Sequence, residues 1–261
     1  MPPARIAFVL ITIGVLGFAG RTFVVGPPPV WLALAVLFAY LAIVSIAVTQ
    51  LRLRVFVDAV VSVPPGKKTV FLTFDDGPDP ESTPKVLDAL DAASAKATFF
   101  VIGRKVKAHP DLARAIVERG HAIGLHSYAH DRMMSFWLAG AWRSDLSRGI
   151  RAIKRATGVS PTLFRPPIGH TNPQAARVIR ELGLTTIGWS VSGRDGIRAD
   201  PSDVVSRVSD GLKDGAIVLL HDAAERGDHP PAAVLALPKI LDALRERGLK
   251  AAEIEGAPTP R

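Results

Sequence analysis

The chain has 261 residues, of which 48% are hydrophobic, and its formal net charge is +8. This length supports one sizeable core with some sequence left over. Residues 1–68 contain six basic residues and a single acidic one, so much of the charge flanks the apolar N-terminus and a nucleic-acid partner is disfavoured. The absence of cysteine from the sequence excludes disulfides, thiolate metal sites and a cysteine nucleophile.

Two apolar segments open the chain. Residues 30–48 are uncharged and mainly apolar, about the length that spans a bilayer core of roughly 30 Å as a helix. Residues 6–24 form either a first membrane helix or the core of a signal peptide, and "GPPP" turns the chain between the two segments. We predict a transmembrane hairpin within residues 1–50 and a linker over 51–66. A buried soluble hairpin is the alternative.

The basic residues bear on the side of the membrane. Two spans place everything after residue 50 on the same side as the N-terminus, where five basic residues outnumber Arg21 of the hairpin. The positive-inside rule therefore predicts a cytoplasmic domain. An outward N-terminus, or a single uncleaved span, would export it.

From residue 69 onward, short β-branched or aromatic runs alternate with segments whose apolar spacing is near 3.6. The predicted strands are 69–74, 97–102, 121–125, 162–164, 184–189, 216–220 and 249–254. Such alternation predicts a parallel α/β fold, either a barrel or an open sheet. Residues 256–261 are predicted to be a frayed tail.

Adjacent aspartates end the first predicted strand. Asp75 and Asp76 follow "TVFLTF", and the carboxyl ends of parallel strands are where active sites gather. Asp, Gly and Pro are also common turn residues, so "DDGP" taken alone favours an ordinary turn.

Two histidines in "HSYAH" form the second group. His126 and His130 are four residues apart, and on a helical turn this spacing puts both imidazoles on one face. An aspartate from a neighbouring strand end would complete three metal ligands and leave positions open for water and substrate, which is typical of a catalytic metal site. A surface or core role for the histidines is the alternative.

Three further strand ends carry polar residues. In "FRPPIGH", Arg165 precedes a double proline that fixes the backbone, and Gly169 permits close approach to the main chain. "GWSVSGRD" and "AIVLLHD" bring further polar residues to strand ends, and His221 is suited to be a partly buried proton donor. A rigid loop around the arginine, and helix caps at His221 or Asp222, are the alternatives.

Together these strand ends indicate one hydrolytic site, and the chain resembles the polysaccharide deacetylase family, the NodB-homology domain of carbohydrate esterase family 4. "TFDDGP", "HSxxH", "RPPxG" and "LLHD" occur in the family's order within residues 67–255. The resemblance implies an α/β fold, a distorted (β/α) barrel of about seven parallel strands, behind the N-terminal membrane hairpin.

The resemblance also implies roles for these residues. Asp75 matches the general base, and Arg165 matches the arginine that holds it. Asp76, His126 and His130 match the metal ligands. The implied cofactor is a divalent metal, with Zn²⁺ first and Co²⁺ or another divalent ion as alternatives.

On the other side of the implied site, His221 matches the general acid and Asp195 the aspartate that orients it. The residues expected to contact substrate are Pro167, Ile168, Trp189 and Leu219, with the backbone amide of residue 168 resembling the oxyanion donor and residue 219 lining the acetyl pocket. Two positions depart from the family pattern: Ile168 stands where members often have Tyr, and Gly196 stands where Trp commonly follows the aspartate.

The resemblance implies a metal-dependent hydrolase that removes N-acetyl groups from amino-sugar glycans such as peptidoglycan or chitin-like oligosaccharides. One alternative is a deacylase or deformylase of a lipid-linked sugar precursor; another is a membrane-tethered, glycan-binding pseudoenzyme. The expected partners are the glycan and membrane lipid, with no nucleic acid. The family's substrates suggest an extracytoplasmic domain, whereas the basic residues suggest a cytoplasmic one.

Overall fold

The computed structural model describes residues 1–196, 199–224 and 230–254, so the predicted tail at 256–261 lies outside the described residues. The chain begins with helices α1 (Pro3–Gly20), α2 (Thr22–Val25) and α3 (Val30–Thr49). The segments 3–25 and 30–49 are long and apolar enough to cross a membrane, and a signal sequence would meet the same criterion. They lie side by side, with the Thr12 and Tyr40 hydroxyl groups 3.1 Å apart.

Eight strands follow in the described part of the chain. They are β1 (Thr69–Asp75), β2 (Thr98–Val101), β3 (Ala122–Leu125), β4 (Leu163–Phe164), β5 (Thr185–Thr186), β6 (Val191–Ser192), β7 (Ile217–His221) and β8 (Lys250–Ala252). Seven form a curled half-barrel in the order β5-β4-β3-β2-β1-β7-β6, and β8 pairs with the beginning of β1. All these pairings are parallel, which confirms the predicted NodB-type fold of about seven parallel strands.

Helices connect most of these strands. They are α4 (Thr83–Ala92), α5 (Gly103–Ala108), α6 (Pro110–Glu118), α7 (Ala139–Thr157), α8 (Pro173–Glu181), α9 (Pro201–Gly211) and α10 (Ala232–Glu246). Proline in the first turn begins α4, α6, α8 and α9, where the missing N–H has no intrahelical partner to lose. Asn172 and Asp200 cap α8 and α9 by accepting a backbone N–H.

The alternation of side chains along β1 divides the core into two layers. Val70, Leu72 and Phe74 belong to the large cluster that also contains the buried residues of the helices, whereas Phe71 packs with the smaller cluster on the other face. Thr73 and Asp75 share the face of Phe71 by the same alternation. The strand therefore brings Asp75 to the inside of the half-barrel, at the end where the parallel strands terminate.

The segment predicted as a linker forms part of this sheet. Val60 donates its amide to the Thr186 carbonyl at 2.9 Å and accepts the Gly188 amide at 2.8 Å. The strand predicted at 184–189 is shorter in the structure and ends at Thr186. Ile187 still donates its amide to the Phe164 carbonyl of β4 at 2.8 Å, so this stretch lies between β4 and the segment before β1. The chain then re-enters the sheet as β6, which the sequence analysis did not predict as a separate strand.

Candidate active site

Asp75 is the last residue of β1 and Asp76 follows it, in a turn that a third carboxylate fixes. Asp222, at the end of β7, accepts the Gly77 amide at 3.1 Å and the Thr83 hydroxyl at 2.5 Å. A Cβ at residue 77 would lie 2.2 Å from the Asp222 carboxylate, so only glycine fits there. Asp76 has φ of 76°. The turn therefore directs the carboxylates of Asp75 and Asp76 into different surroundings. Burial raises the pKa of Asp222, the carboxylate that fixes the turn, to about 6.

Asp75 is held by a buried arginine. Nη1 of Arg165 donates to the Asp75 carboxylate at 2.7 Å and to the Thr73 hydroxyl at 2.7 Å. Its other nitrogens donate to the carbonyls of residues 187 and 188, and its guanidinium lies 4.2 Å from the Phe100 ring centroid. Burial lowers the pKa of Arg165, and the Asp75 charge opposes that shift. The fully buried cation thus has a fixed position and bonds directly to the Asp75 carboxylate.

Asp76 and the two histidines converge on one point. The ligand-type atoms of Asp76, His126 and His130 lie within 4.8 Å of one another, and Asp76 Oδ1 is 3.5 Å from His126 Nε2 and 3.2 Å from His130 Nε2. The Nδ1 of His126 is 2.8 Å from the Arg165 carbonyl, which can only accept, so Nδ1 carries the proton and Nε2 presents its lone pair. One carboxylate oxygen and two imidazole nitrogens are a donor set that suits a divalent metal such as Zn²⁺.

The histidines do not share a helical turn, and that part of the prediction was wrong. Residues 126–130 form a loop in which Ser127 and His130 have positive φ values of 62° and 52°. The buried Asp145 of α7 accepts the amides of Tyr128 and Ala129, at 2.7 and 3.1 Å. Because these amides bond to a side chain from another element, they are not available to a helix, and the loop itself brings the imidazoles together.

His221 and Asp195 occupy the opposite wall. The Asp195 carboxylate is 3.1 Å from His221 Nδ1 and accepts the backbone amide of His221 at 2.8 Å. Burial lowers the pKa of His221, but Asp195, together with the charges of Asp76 and Asp75, outweighs it and raises the pKa to about 9. A Cβ at residue 196 would lie 2.8 Å from the His221 ring, so Gly196 leaves room for the imidazole.

These groups line a cleft of about 310 Å³. Of the residues expected to contact substrate, Ile168, Trp189 and Leu219 line this cleft, whereas Pro167 is buried and does not line it. Arg132 and Arg194 also line it, although the sequence analysis assigned them no role. Arg194 belongs to the motif "GWSVSGRD", but the sequence of this motif does not indicate which of its polar side chains faces the cleft.

The structure thus brings the predicted site residues to one place. Around the cleft lie a buried carboxylate bonded to Arg165, a three-ligand cluster and an imidazole bonded to Asp195. Arg165, Asp195 and Pro167 do not line the cleft themselves, but the first two bond to residues that do. This combination of groups is suited to hydrolysis, because it offers a proton acceptor, a place for an electrophilic metal and a proton donor.

Comparison with known proteins agrees with this assignment. The polysaccharide deacetylase family model matches residues 62–187. A peptidoglycan-N-acetylglucosamine deacetylase of Bacillus cereus is 37% identical over 190 residues, covering 72% of this chain and 87% of its own. A chitooligosaccharide deacetylase of Bradyrhizobium is 35% identical over 194 residues, covering 71% of this chain and 88% of its own.

A solved structure gives a further comparison. The wild-type form of a family 4 carbohydrate esterase pseudoenzyme from Bacillus anthracis matches with a TM-score of 0.69 and 30% identity, covering 80% of this chain and 72% of its own. A mutant of the same protein with restored enzymatic activity matches with a TM-score of 0.70. The relatives are hydrolases acting on amide bonds, and the chain belongs to the polysaccharide deacetylase family.

Proposed function

We propose that this protein is a metal-dependent deacetylase that removes N-acetyl groups from amino-sugar glycans such as peptidoglycan or chitin-like oligosaccharides. The observation that carries the proposal is that the two walls of the cleft present different groups. Asp75 bonds to Arg165 on one wall, and His221 bonds to Asp195 on the other. The similarity to peptidoglycan and chitooligosaccharide deacetylases supports the substrate class.

Asp76, His126 and His130 would hold the metal. Their atoms are close enough to share one ion, and the hydrogen bond from His126 to the Arg165 carbonyl orients the first imidazole for ligation. A bound divalent cation such as Zn²⁺ lowers the pKa of water and polarises a carbonyl oxygen. The three-ligand set, rather than a four-ligand one, suits a catalytic ion.

The remaining residues divide the proton transfers. Asp75 accepts a proton from the attacking water, and the hydrogen bond from Arg165 fixes the position of its carboxylate at the cleft. His221 gives a proton to the departing amine nitrogen, which would otherwise be a poor leaving group. Asp195 holds Nδ1 of His221, so Nε2 is the nitrogen that faces the reaction.

The substrate's acyl group has its own surroundings. The backbone amide of Ile168, at a left-handed position with φ of 49°, is the proposed donor to the oxyanion. Leu219 and Trp189, which line the cleft, supply the apolar surface for the acetyl methyl group. Pro167 is buried and does not line the cleft, so its contribution is to fix the backbone before Ile168.

Acetate release from N-acetylglucosamine oligomers by the full chain tests this proposal. We expect turnover that a metal chelator abolishes and that added Zn²⁺ restores. We also expect Asp76→Ala to be inactive with or without Zn²⁺. Turnover that survives both the chelator and Asp76→Ala would rule out the mechanism.

We propose that α1 and α3 anchor the protein in a membrane. Their apolar side chains are largely exposed, and Arg5 of α1 bonds to the Val55 carbonyl and to Asp58 at 2.8 Å each, which joins the hairpin to the segment before β1. A removable signal sequence would have no need of such contacts. A reporter fusion after residue 254 gives the side of the membrane.

A lipid-linked amino sugar is the second candidate substrate, with either an acetyl or a formyl group removed. The observation that favours it is the contact between the end of α3 and the active-site loops, where Thr171 donates to the Val48 carbonyl at 3.1 Å. A cytoplasmic reporter signal would favour this substrate over mature peptidoglycan, and an extracytoplasmic one would favour the wall polymer.

A glycan-binding pseudoenzyme remains the third candidate, since a pseudoenzyme shares the fold. The full set of Asp75, Asp76, His126, His130, Arg165 and His221 argues against it. Metal analysis of the purified protein is the first check, and the acetate-release assay distinguishes the two: a chain that binds the glycan without releasing acetate would be a pseudoenzyme.

A further inference from the structure

A loop beside the active site displays large apolar side chains to solvent. The loop, residues 131–138 between β3 and α7, is called here the apolar loop. Met133, Phe136 and Leu138 are 58%, 76% and 74% exposed. Arg132 of the same loop lines the catalytic cleft, so the exposed side chains stand at its rim. Three such side chains within six residues of one loop are more than the scattered single apolar residues of an ordinary surface, and they are typical of an interaction surface.

Hydrogen bonds and one buried side chain fix the backbone of the apolar loop. Asp131 accepts the Met133 amide at 2.8 Å, and Met134 is buried in the core. The side-chain amide of Asn172 donates to the carbonyls of Ser135 and Trp137 at 2.8 and 3.1 Å. The exposed side chains therefore project from a fixed backbone rather than from a loop that could fold them inward.

Further hydrogen bonds connect the apolar loop and the cleft to the end of the membrane hairpin. Asn172, which holds the loop, follows Thr171, whose amide donates to the Val48 carbonyl in the last turn of α3. Across the cleft, Arg52 donates to the carbonyls of Trp189 and Ser190 at 3.1 and 2.7 Å. The carboxyl end of the barrel is thus bonded on two sides to the residues where α3 ends.

The connection to α3 indicates that membrane lipid covers the exposed side chains of the apolar loop. If α3 spans the bilayer over residues 30–49, its end lies at the lipid–water boundary, and the loop bonded to it lies at the same level. Phe, Leu and Met flanked by arginine are suited to that layer, where apolar groups enter the acyl region and cations meet the headgroups.

We propose that the apolar loop inserts into the interfacial layer of the bilayer that the hairpin spans, so that the catalytic cleft opens at the level of the headgroups. The substrate is then an N-acylated amino sugar that lies within or against that layer, such as one carried on a lipid. The insertion stands on the loop and the hairpin alone, whereas the substrate class rests on the proposed function.

Site-specific fluorescence tests the insertion without reference to activity. Because the chain has no cysteine, Phe136→Cys and Leu138→Cys each give a unique position for an environment-sensitive NBD label. Val159→Cys is the matched control, since Val159 is an exposed apolar residue between α7 and the start of β4, at the opposite end of the strands. The full-length variants are reconstituted in phosphatidylcholine–phosphatidylglycerol vesicles with and without nitroxide-labelled lipid.

We expect blue-shifted emission at 136 and 138, with quenching by the nitroxide lipid at least threefold greater than at 159. Water-like emission at all three positions would overturn the proposal. So would blue-shifted emission at 136 and 138 that nitroxide lipid does not quench and that fades as the protein is diluted among vesicles, because a second copy of the chain would then cover the loop.

Turnover tests the substrate class separately. We expect Phe136→Asp/Leu138→Asp to keep acetate release from soluble N-acetylglucosamine oligomers within about twofold, and to reduce release from an N-acetylglucosaminyl lipid in vesicles at least fivefold. Val159→Asp should change neither. Equal rates for the variant and wild type on the lipid would overturn the substrate class, whereas no release from any substrate would instead contradict the proposed function and leave the label result standing.

Discussion

The two walls of the cleft use the same residue types for different purposes. On one wall, Asp76 meets His126 and His130 with His126 Nδ1 bonded to a main-chain carbonyl. On the other, Asp195 bonds directly to Nδ1 of His221. A carbonyl fixes the tautomer and leaves Nε2 as a neutral ligand, whereas a carboxylate stabilises the imidazolium. The partner of Nδ1 therefore distinguishes the proposed metal ligand from the proposed proton donor.

The same contrast holds for the adjacent aspartates. Asp75 bonds to the guanidinium of Arg165, and Asp76 faces the two imidazoles. One backbone step and a left-handed φ at Asp76 direct the two carboxylates to these different partners. Their adjacency keeps the proposed base beside the proposed metal ligand.

Removing the metal-side carboxylate should have the largest effect. We expect Asp76→Asn to weaken Zn²⁺ binding by more than 100-fold. Mutating a residue that only orients a metal ligand already lowers metal affinity by about 10–100-fold. Zn²⁺ affinity measured by competition with a fluorescent chelator checks this expectation. Unchanged affinity would mean that Asp76 is not a ligand.

Asp75→Asn should separate chemistry from metal binding. Its amide cannot accept the proton that the proposed mechanism assigns to the carboxylate, so we expect kcat to fall by about 10³-fold while Zn²⁺ affinity stays within a few-fold of wild type. The paired measurement on Asp75→Asn and Asp76→Asn distinguishes the two carboxylates. Equal loss of metal in both variants would erase the distinction drawn between them.

On the acid wall, Asp195→Asn should change the pH dependence. The raised pKa of His221, about 9, means that the imidazolium dominates below that pH and is lost as pH rises through it. We expect the kcat profile of the wild type to fall above about pH 9. Removing the Asp195 charge should move this alkaline limb down by about 1–3 pH units and reduce the maximal rate about tenfold.

The profile has a matched control on the other wall. Asp76→Glu, if it retains some activity at saturating Zn²⁺, should keep the alkaline limb closer to the wild-type position, because the Asp195–His221 hydrogen bond is intact. A limb that does not move in Asp195→Asn would show that another group limits the rate at high pH.

Thr73→Val should have the smallest effect on turnover. Its hydroxyl accepts from Arg165 Nη1 at 2.7 Å and donates to the Val218 carbonyl at 2.6 Å. The substitution keeps the shape but leaves a buried cation with one bond fewer, so we expect a loss of about 1–3 kcal/mol in the free energy of unfolding and a few-fold fall in kcat. Denaturant unfolding and steady-state kinetics check both; a stability equal to wild type would show that the bond is dispensable.

Much of the fold followed from the sequence because its signals are local. The apolar runs that became β1, β2, β3 and β7, and the capped helical patterns between them, each carry their own periodicity. The two-residue strand β6 was missed because two residues are too few to show an alternation. The pairing of Ile187 with Val60 was not predicted, because it joins parts of the chain that are far apart in sequence.

The site was predicted to a similar extent and for a similar reason. Motifs at strand ends identified Asp75, Asp76 and His221, since parallel strands bring their carboxyl ends together. The loop geometry at His126 and His130 depends on Asp145, which lies in α7, and no spacing within "HSYAH" reveals that partner. The contact of α3 with the active-site loops likewise joins residues far apart in sequence.

Zinc titration of turnover tests the central claim most directly. The full-length protein is stripped of metal, Zn²⁺ is added in increments, and acetate release from N-acetylglucosamine oligomers is measured at each step. Asp76, His126 and His130 form the one such cluster among the described residues, which predicts no turnover at the start and a linear rise that saturates at one Zn²⁺ per chain. Full turnover in the stripped protein, or a rate that Zn²⁺ does not raise, would contradict the account.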